Sequence, residues 1–144
     1  MRMPDVNVLV YAHRADDPSH VFYRDWLERL AAGPEPFALS PLVVGAFVRL
    51  VTNVKAFPDP TPLPVALATV STLLSRRSCH LLGPGEAHWD VFSRLCTHAR
   101  ATGKLVADAQ HAAVAIEHGC TWVTRDRDFS RFQGAGLRWE HLTT

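Results

Sequence analysis

The stretch LVADAQHAAVAIEHGCTWVTRDRD, residues 105–128, changes its period once and so carries two elements in succession. Ala109, Ala112, Ala113 and Ile116 recur at helical spacing and form a narrow stripe of small side chains, which lets a helix pack close to its neighbours. Gly119 falls where a left-handed residue commonly ends a helix. Cys120 to Thr124 then reads as a short buried strand, and two acids, Asp126 and Asp128, follow its end. A helix that runs straight into a buried strand is half of an α/β unit.

The same alternation extends outward from that stretch. Arg2 to Leu9 reads as a buried strand that turns into a helix near Tyr11, with Asp5 close to the changeover. Val21, Phe22, Trp26, Leu27 and Leu30 trace an amphipathic helix that Gly33-Pro34 stops. Ser40-Pro41 opens another, with Val43, Phe47, Leu50, Val51 and Val54 on one stripe and Ala46 on the same side. The proline-dense loop from Phe57 leads to Thr61-Pro62, which reads as the cap of a helix through about Ser75. Cys79 to Leu82 is a candidate strand. Trp89, Phe92, Leu95, Cys96 and Ala99 mark a helix ending near Gly103, and Leu137 to Trp139 a last strand. Strands separated by helices imply an α/β fold: one domain over residues 1–144, a central, mainly parallel sheet, and helices on both faces. Ligands of such sheets bind beyond the carboxyl ends of the strands.

Composition narrows the function. With 144 residues and 47% apolar side chains, the chain can bury a core without staples. Its three cysteines, Cys79, Cys96 and Cys120, have no CxxC spacing, which argues against a disulfide framework or a zinc site and for thiols in a reducing cytoplasm. The opening MRMPDVNVLVYAH has neither the length of an anchor nor a cleavage pattern, so no membrane association is expected. A formal net charge of +1 exerts no global pull on nucleic acid, and any grip must be local. Arg49, Arg76, Arg77, Arg125, Arg127 and Arg131 are candidates for phosphate contacts, although for any one of them solvated charge is the simpler reading.

Asp5, Asp108 and Asp126 occupy comparable places, at a strand end, in a first helical turn and just after a strand, and Asp128 follows two residues later. Carboxylates brought to one sheet edge repel unless a cation or protons neutralise them. Oxygen ligands without a histidine or cysteine cluster favour Mg²⁺, with Mn²⁺ as the alternative, and point to phosphate chemistry. An ion there would acidify a water as nucleophile and stabilise the departing 3′ oxygen, leaving 5′ phosphate and 3′ hydroxyl ends. Singly, Asp108 can serve a helix dipole, Asp126 and Asp128 can make Asx turns, and Asp5 can cap the helix that follows it. Asn7 and Thr124 are supporting candidates that could orient the carboxylates. His80, His88, His98 and His111 have no spacing that suggests metal-free acid–base cleavage. His111 and His118 read as exposed helix positions, and Trp26, Trp89 and Trp122 as core.

PDVNVLVYAH around Asp5, LVADAQHAAVAIEHG around Asp108 and TWVTRDRDFSRF around Asp126 resemble the three acidic motifs of PIN domains. SPLVVGAFVRLVTN and GEAHWDVFSRLC resemble segments of the VapC toxins of type II toxin–antitoxin operons, particularly a mycobacterial branch. The resemblance implies a PIN fold and Mg²⁺- or Mn²⁺-dependent endoribonuclease activity on structured RNA such as tRNA or rRNA. It also implies homodimerisation and inhibition by a cognate VapB-type antitoxin. Asp5, Asp108 and Asp126 match the first, third and fourth acids of that family, and Asp128 an additional frequent one. The second acid, a glutamate on the helix after Ser40, aligns with Ala46. Three explanations are open: a reduced acid set, substitution by Asp59 or another acid, or an introduced inactivating change. A PIN module that binds RNA or antitoxin without cleavage is the alternative function.

Overall fold

A computed structural model describes all of residues 1–144. In chain order the elements are β1 (Arg2–Pro4), α1 (Val6–His13), α2 (His20–Ala32), β2 (Phe37–Leu39), α3 (Pro41–Val51) and α4 (Leu63–Leu74). They continue with β3 (Cys79–Leu81), α5 (His88–Ala99), α6 (Lys104–Glu117), β4 (Thr121–Thr124), a 3₁₀ helix (Arg127–Ala135) and β5 (Trp139–His141). The five strands form one sheet in the order β3-β2-β1-β4-β5, and every pairing is parallel. β1 is central, with Met3 opposite Trp122 and Pro4 opposite Val123.

The connections from β1 lead outward through β2 to β3, whereas β4 and β5 extend the other side. The winding therefore reverses between β1 and β4, and a crevice opens beyond their carboxyl ends. The helices form two groups: α1 packs on α2 and α3, and α3 on α4, while α5 packs on α6 and the 3₁₀ helix. Between these layers Met3, Phe37, Ala38, Leu39, Trp122 and Val123 are fully buried. Of the small-residue stripe of α6, Ala109, Ala112 and Ala113 are fully buried and Ile116 is half-buried against the core; Ala115, outside the stripe, is fully buried too, so that helix sits close against the sheet. No helix is long and apolar enough to cross a membrane.

Several boundaries differ from the sequence reading. β1 stops at Pro4 instead of running to Leu9, and Val6, Val8, Leu9 and Val10 are buried in α1. So short a mostly apolar run has no period to separate strand from helix. Asp5 decides the matter, its Oδ1 accepting the Val6 N–H at 2.6 Å as the N-cap of α1. Ser40 caps α3 as expected, accepting from the Leu42 N–H. Thr61 does not cap α4: its Oγ1 lies 2.9 Å from His13 Nε2 and accepts from Arg14. The last strand is Trp139–His141, two residues later than its apolar residues suggested. Val54 lies past the end of α3 and is exposed, and Trp89 is 70% exposed instead of in the core.

Candidate active site

The crevice at the β1–β4 reversal is a cleft of about 300 Å³ whose walls include Asp5, Asp108 and Asp126, with Ala46, Arg49, Lys104, Tyr11 and His111. Three of the four expected acids thus meet. Each is brought by a different element: Asp5 by the β1–α1 junction, Asp108 by α6, where it stands just beyond the first turn and not within it as expected because the helix already begins at Lys104, and Asp126 by the turn after β4. Asp128, the fourth, is exposed and does not line the cleft. Its N–H donates to Asp126 Oδ1 at 2.9 Å, and its charge helps push the Asp108 carboxyl up.

Thr124 ties the first and last acids together. Its hydroxyl donates to Asp5 Oδ2 at 2.6 Å and accepts the Asp126 N–H at 2.9 Å. Asn7 adds a 3.4 Å contact from Nδ2 to the same hydroxyl, and its Oδ1 accepts the Arg125 N–H. Thr124 therefore fixes the Asp5 carboxylate and the Asp126 backbone, and Asn7 supports Thr124 and the turn at Arg125. Burial drives the Asp5 carboxyl up to about pH 6, against the lowering effect of its bonds to Thr124 and Val6, with Asp108 and Asp126 adding to the rise. Burial also raises Asp108, opposed by Lys104 and reinforced by Asp126 and Asp128. At Asp126 burial acts upward too, but the Lys104 ammonium and the Asp128 N–H together hold its carboxyl below the usual range.

Lys104 was not among the residues singled out from sequence. Its Nζ lies 3.2 Å from Asp108 Oδ2 and 2.9 Å from Asp126 Oδ2 and bridges the two carboxylates, which raises its own pKa, first through Asp126 and then through Asp108. The readable signal was its place four residues before Asp108, on the same helix face. His111 is not the exposed residue expected. It stacks on Trp122 with ring centroids 5.5 Å apart, its Nδ1 is sealed from solvent without a partner, and burial lowers its pKa to about 4.

With Lys104 between two of the acids, no three His, Cys, Asp or Glu side chains are gathered as a ready metal cage. The donors nevertheless suit a hard divalent ion. The cleft acids offer only oxygens, and Asp5 is a buried acid without any ion-pair partner, a charge deficit that Mg²⁺ or Mn²⁺ would correct and zinc would not favour. Ala46 does line the cleft, at the place where the family resemblance puts a glutamate. Asp59 does not replace it. Its charge acts on Arg14, just past the end of α1 opposite to Asp5.

Of the candidate arginines, Arg49 alone lines this cleft, one turn beyond Ala46. Arg125 is engaged elsewhere, over the Tyr11 ring at 4.2 Å and the Tyr23 ring at 5.8 Å. Arg76 and Arg77 immediately precede β3 and therefore stand at the opposite edge of the sheet.

A parallel sheet whose switch point gathers aspartates from its central strand, a late helix and the following strand defines a class. The chain belongs to the PIN domain family, whose family model matches residues 2–135. Within that family it is similar to the mycobacterial VapC group. It is 47% identical over 137 residues to Ribonuclease VapC43 of Mycobacterium tuberculosis, covering 95% of this chain and 92% of that protein. Among solved structures it resembles VapBC2 from Rickettsia felis bound to a DNA fragment from its promoter, with a TM-score of 0.70 at 22% identity over 96% of each chain. It also resembles VapC20 of Mycobacterium tuberculosis, a Sarcin-Ricin loop cleaving toxin, with a TM-score of 0.66 at 19% identity over 100% of each chain.

Proposed function

We propose that this chain is the toxin of a type II toxin–antitoxin pair and acts as a Mg²⁺- or Mn²⁺-dependent endoribonuclease on structured RNA such as tRNA or rRNA. The observation that carries this reading is the meeting of Asp5, Asp108 and Asp126 in one cleft at the switch point of the sheet. The ribonuclease names of its relatives and the complex of a structural neighbour with its antitoxin support it.

Asp5, Asp108 and Asp126 would hold the ion, and Asp128, two residues beyond Asp126 and outside the cleft lining, is the expected further ligand. When bound, the ion supplies the acidity that makes water a nucleophile and the charge that stabilises the departing 3′ oxygen. Thr124 holds the Asp5 carboxylate and the Asp126 backbone, and Asn7 braces the Thr124 hydroxyl and the Arg125 N–H, so that little reorganisation is needed on binding. Arg49 contributes a guanidinium to the wall of the cleft, where it can accept a phosphate in register with the acids. The products carry 5′ phosphate and 3′ hydroxyl ends. A VapB-type antitoxin, a homodimer and a cytoplasmic site of action belong to the same proposal.

Ala46 favours a second reading, a PIN module that binds RNA or antitoxin without cutting, because the cleft has one carboxylate fewer than the family pattern. End-labelled total tRNA and rRNA incubated with purified protein and Mg²⁺ or Mn²⁺, beside EDTA, Asp5→Ala and Ala46→Glu, separates the two. Discrete cuts lost on chelation and in Asp5→Ala support the metal nuclease. Cutting only by Ala46→Glu, or RNA retained by both chains without cutting, supports the second reading.

A further inference from the structure

We propose that Lys104 is a tethered cation that balances Asp108 and Asp126 in the metal-free protein and must be displaced before a divalent ion can take those carboxylates. The inference rests on the reading of this cleft as a divalent-ion site. It concerns a residue of this chain and what that residue does to ion affinity.

Three observations carry it. First, the ammonium makes one contact within its own helix and one across to a different element, Asp126, 22 residues later. An ordinary pair along a helix would need only the first. The charge is therefore centred on the gap between two elements that the cleft requires to come together.

Second, Lys104 stands at the wrong end of its helix. It is the first residue of α6, next to the positive end of the helix dipole, where anions are favoured and cations are not. Gly103 at the N-cap offers no side chain to the free N–H groups, and no acid lies in the first turn. Asp108 and Asp126 are what offset this placement. Once a divalent ion claims their oxygens, the dipole and the ion both push the ammonium outward.

Third, the lysine side chain is 71% exposed, so it can swing away without opening the core. The carboxylates behind it are not so free: the Asp108 side chain is 11% exposed, and Asp126 is held by Thr124 and Asp128 through its backbone N–H and its Oδ1. The mobile partner is Lys104. Its charge thus competes with the ion for the same two oxygens, and ion affinity is set below what the three aspartates would give alone.

The experiment is a titration of the full chain with Mn²⁺, followed by electron paramagnetic resonance of the free ion, on the unaltered protein, Lys104→Met and Lys104→Arg. Lys104→Met is expected to bind Mn²⁺ about tenfold more tightly, since it loses a unit charge within a few ångströms of the ion, and Lys104→Arg is expected to bind no more tightly than the unaltered chain. In parallel, acetylation of Lys104 in the unaltered protein, read by mass spectrometry, is expected to rise when Mn²⁺ is added, because the ammonium leaves its two partners. Equal or weaker Mn²⁺ binding by a folded Lys104→Met chain overturns the inference, as does a Lys104 whose acetylation ignores bound Mn²⁺. If no chain binds Mn²⁺ and RNA is still cut in EDTA, the divalent-ion reading of the cleft fails and the inference falls with it. If Mn²⁺ binds all three chains alike, only the inference fails.

Discussion

Asp5 does two jobs that conflict. As the N-cap of α1 it is bonded to Val6, and as a cleft acid it is a buried carboxylate without a cation. Its pKa, pushed up to about 6, lies above the ordinary value of 3.8, so the stabilising contribution of the protonated form is complete below pH 4 and is lost as the pH rises through 6. In divalent-free buffer, Asp5→Asn should therefore unfold at higher denaturant than the unaltered chain at pH 7, by roughly 2–3 kcal/mol, and the gap should close towards pH 4. The same substitution should abolish RNA cleavage. A pH-independent gap would show that the burial of charge is not what Asp5 contributes. His111 works in the opposite direction: its pKa is lowered to about 4, so the stability of its neutral form is present above pH 6.5 and lost as the pH falls towards 4. Replacing His111 with Phe should remove on the order of 1–2 kcal/mol of acid sensitivity across that window, measured by denaturant melts at pH 7 and pH 4.5. The acids were legible because carboxylates inside or beside apolar runs demand an explanation. His111 was not, because its burial comes from Trp122 on another element, which helical spacing does not report.

The elements whose sequences contain their own start and stop signals were the readable ones. Ser40-Pro41 began α3, and Gly119, with φ of +66°, separates α6 from β4 as a left-handed residue should. Gly119→Ala should cost about 1 kcal/mol by forcing a Cβ into that conformation, whereas Gly45→Ala on the exposed face of α3, where an added Cβ meets nothing, should gain about 0.5–1 kcal/mol. Thermal melts of the two variants should move in opposite directions. A common direction would mean that α3 is not helical at Gly45 or that Gly119 is not the turn. The β1–α1 boundary escaped because Val6, Val8, Leu9 and Val10 fit a buried strand as well as a helix. Trp89 escaped for a related reason: an amphipathic stripe defines a face, and the outermost residue of that face can still project into solvent at the helix start.

For the molecule as a whole, the near-neutral charge of +1 and the few cations in the cleft limit how RNA can be held. With Arg49 and Lys104 as the cleft's basic residues, the slope of log affinity against log salt should be no steeper than about −2, by filter binding of a metal-inactivated chain to a structured RNA. A much steeper slope would place the main RNA contacts outside the cleft. The parallel order β3-β2-β1-β4-β5 was legible as a class, from alternation, but the position of β1 at its centre was not, since nothing in residues 2–4 says which later strand will flank them.

That central position has a consequence for the order in which the protein is made. β1 is synthesised well before β4, yet the two pair, and Asp126 follows Asp5 by 121 residues. Contacts between residues so distant in sequence form late and slowly. While the residues between Asp5 and Asp126 are being translated, the ribosome therefore carries a chain that already contains Asp5 but cannot yet assemble the cleft. Whatever the assembled cleft does, the nascent chain cannot do it until β4 and the Asp126 turn behind it have emerged.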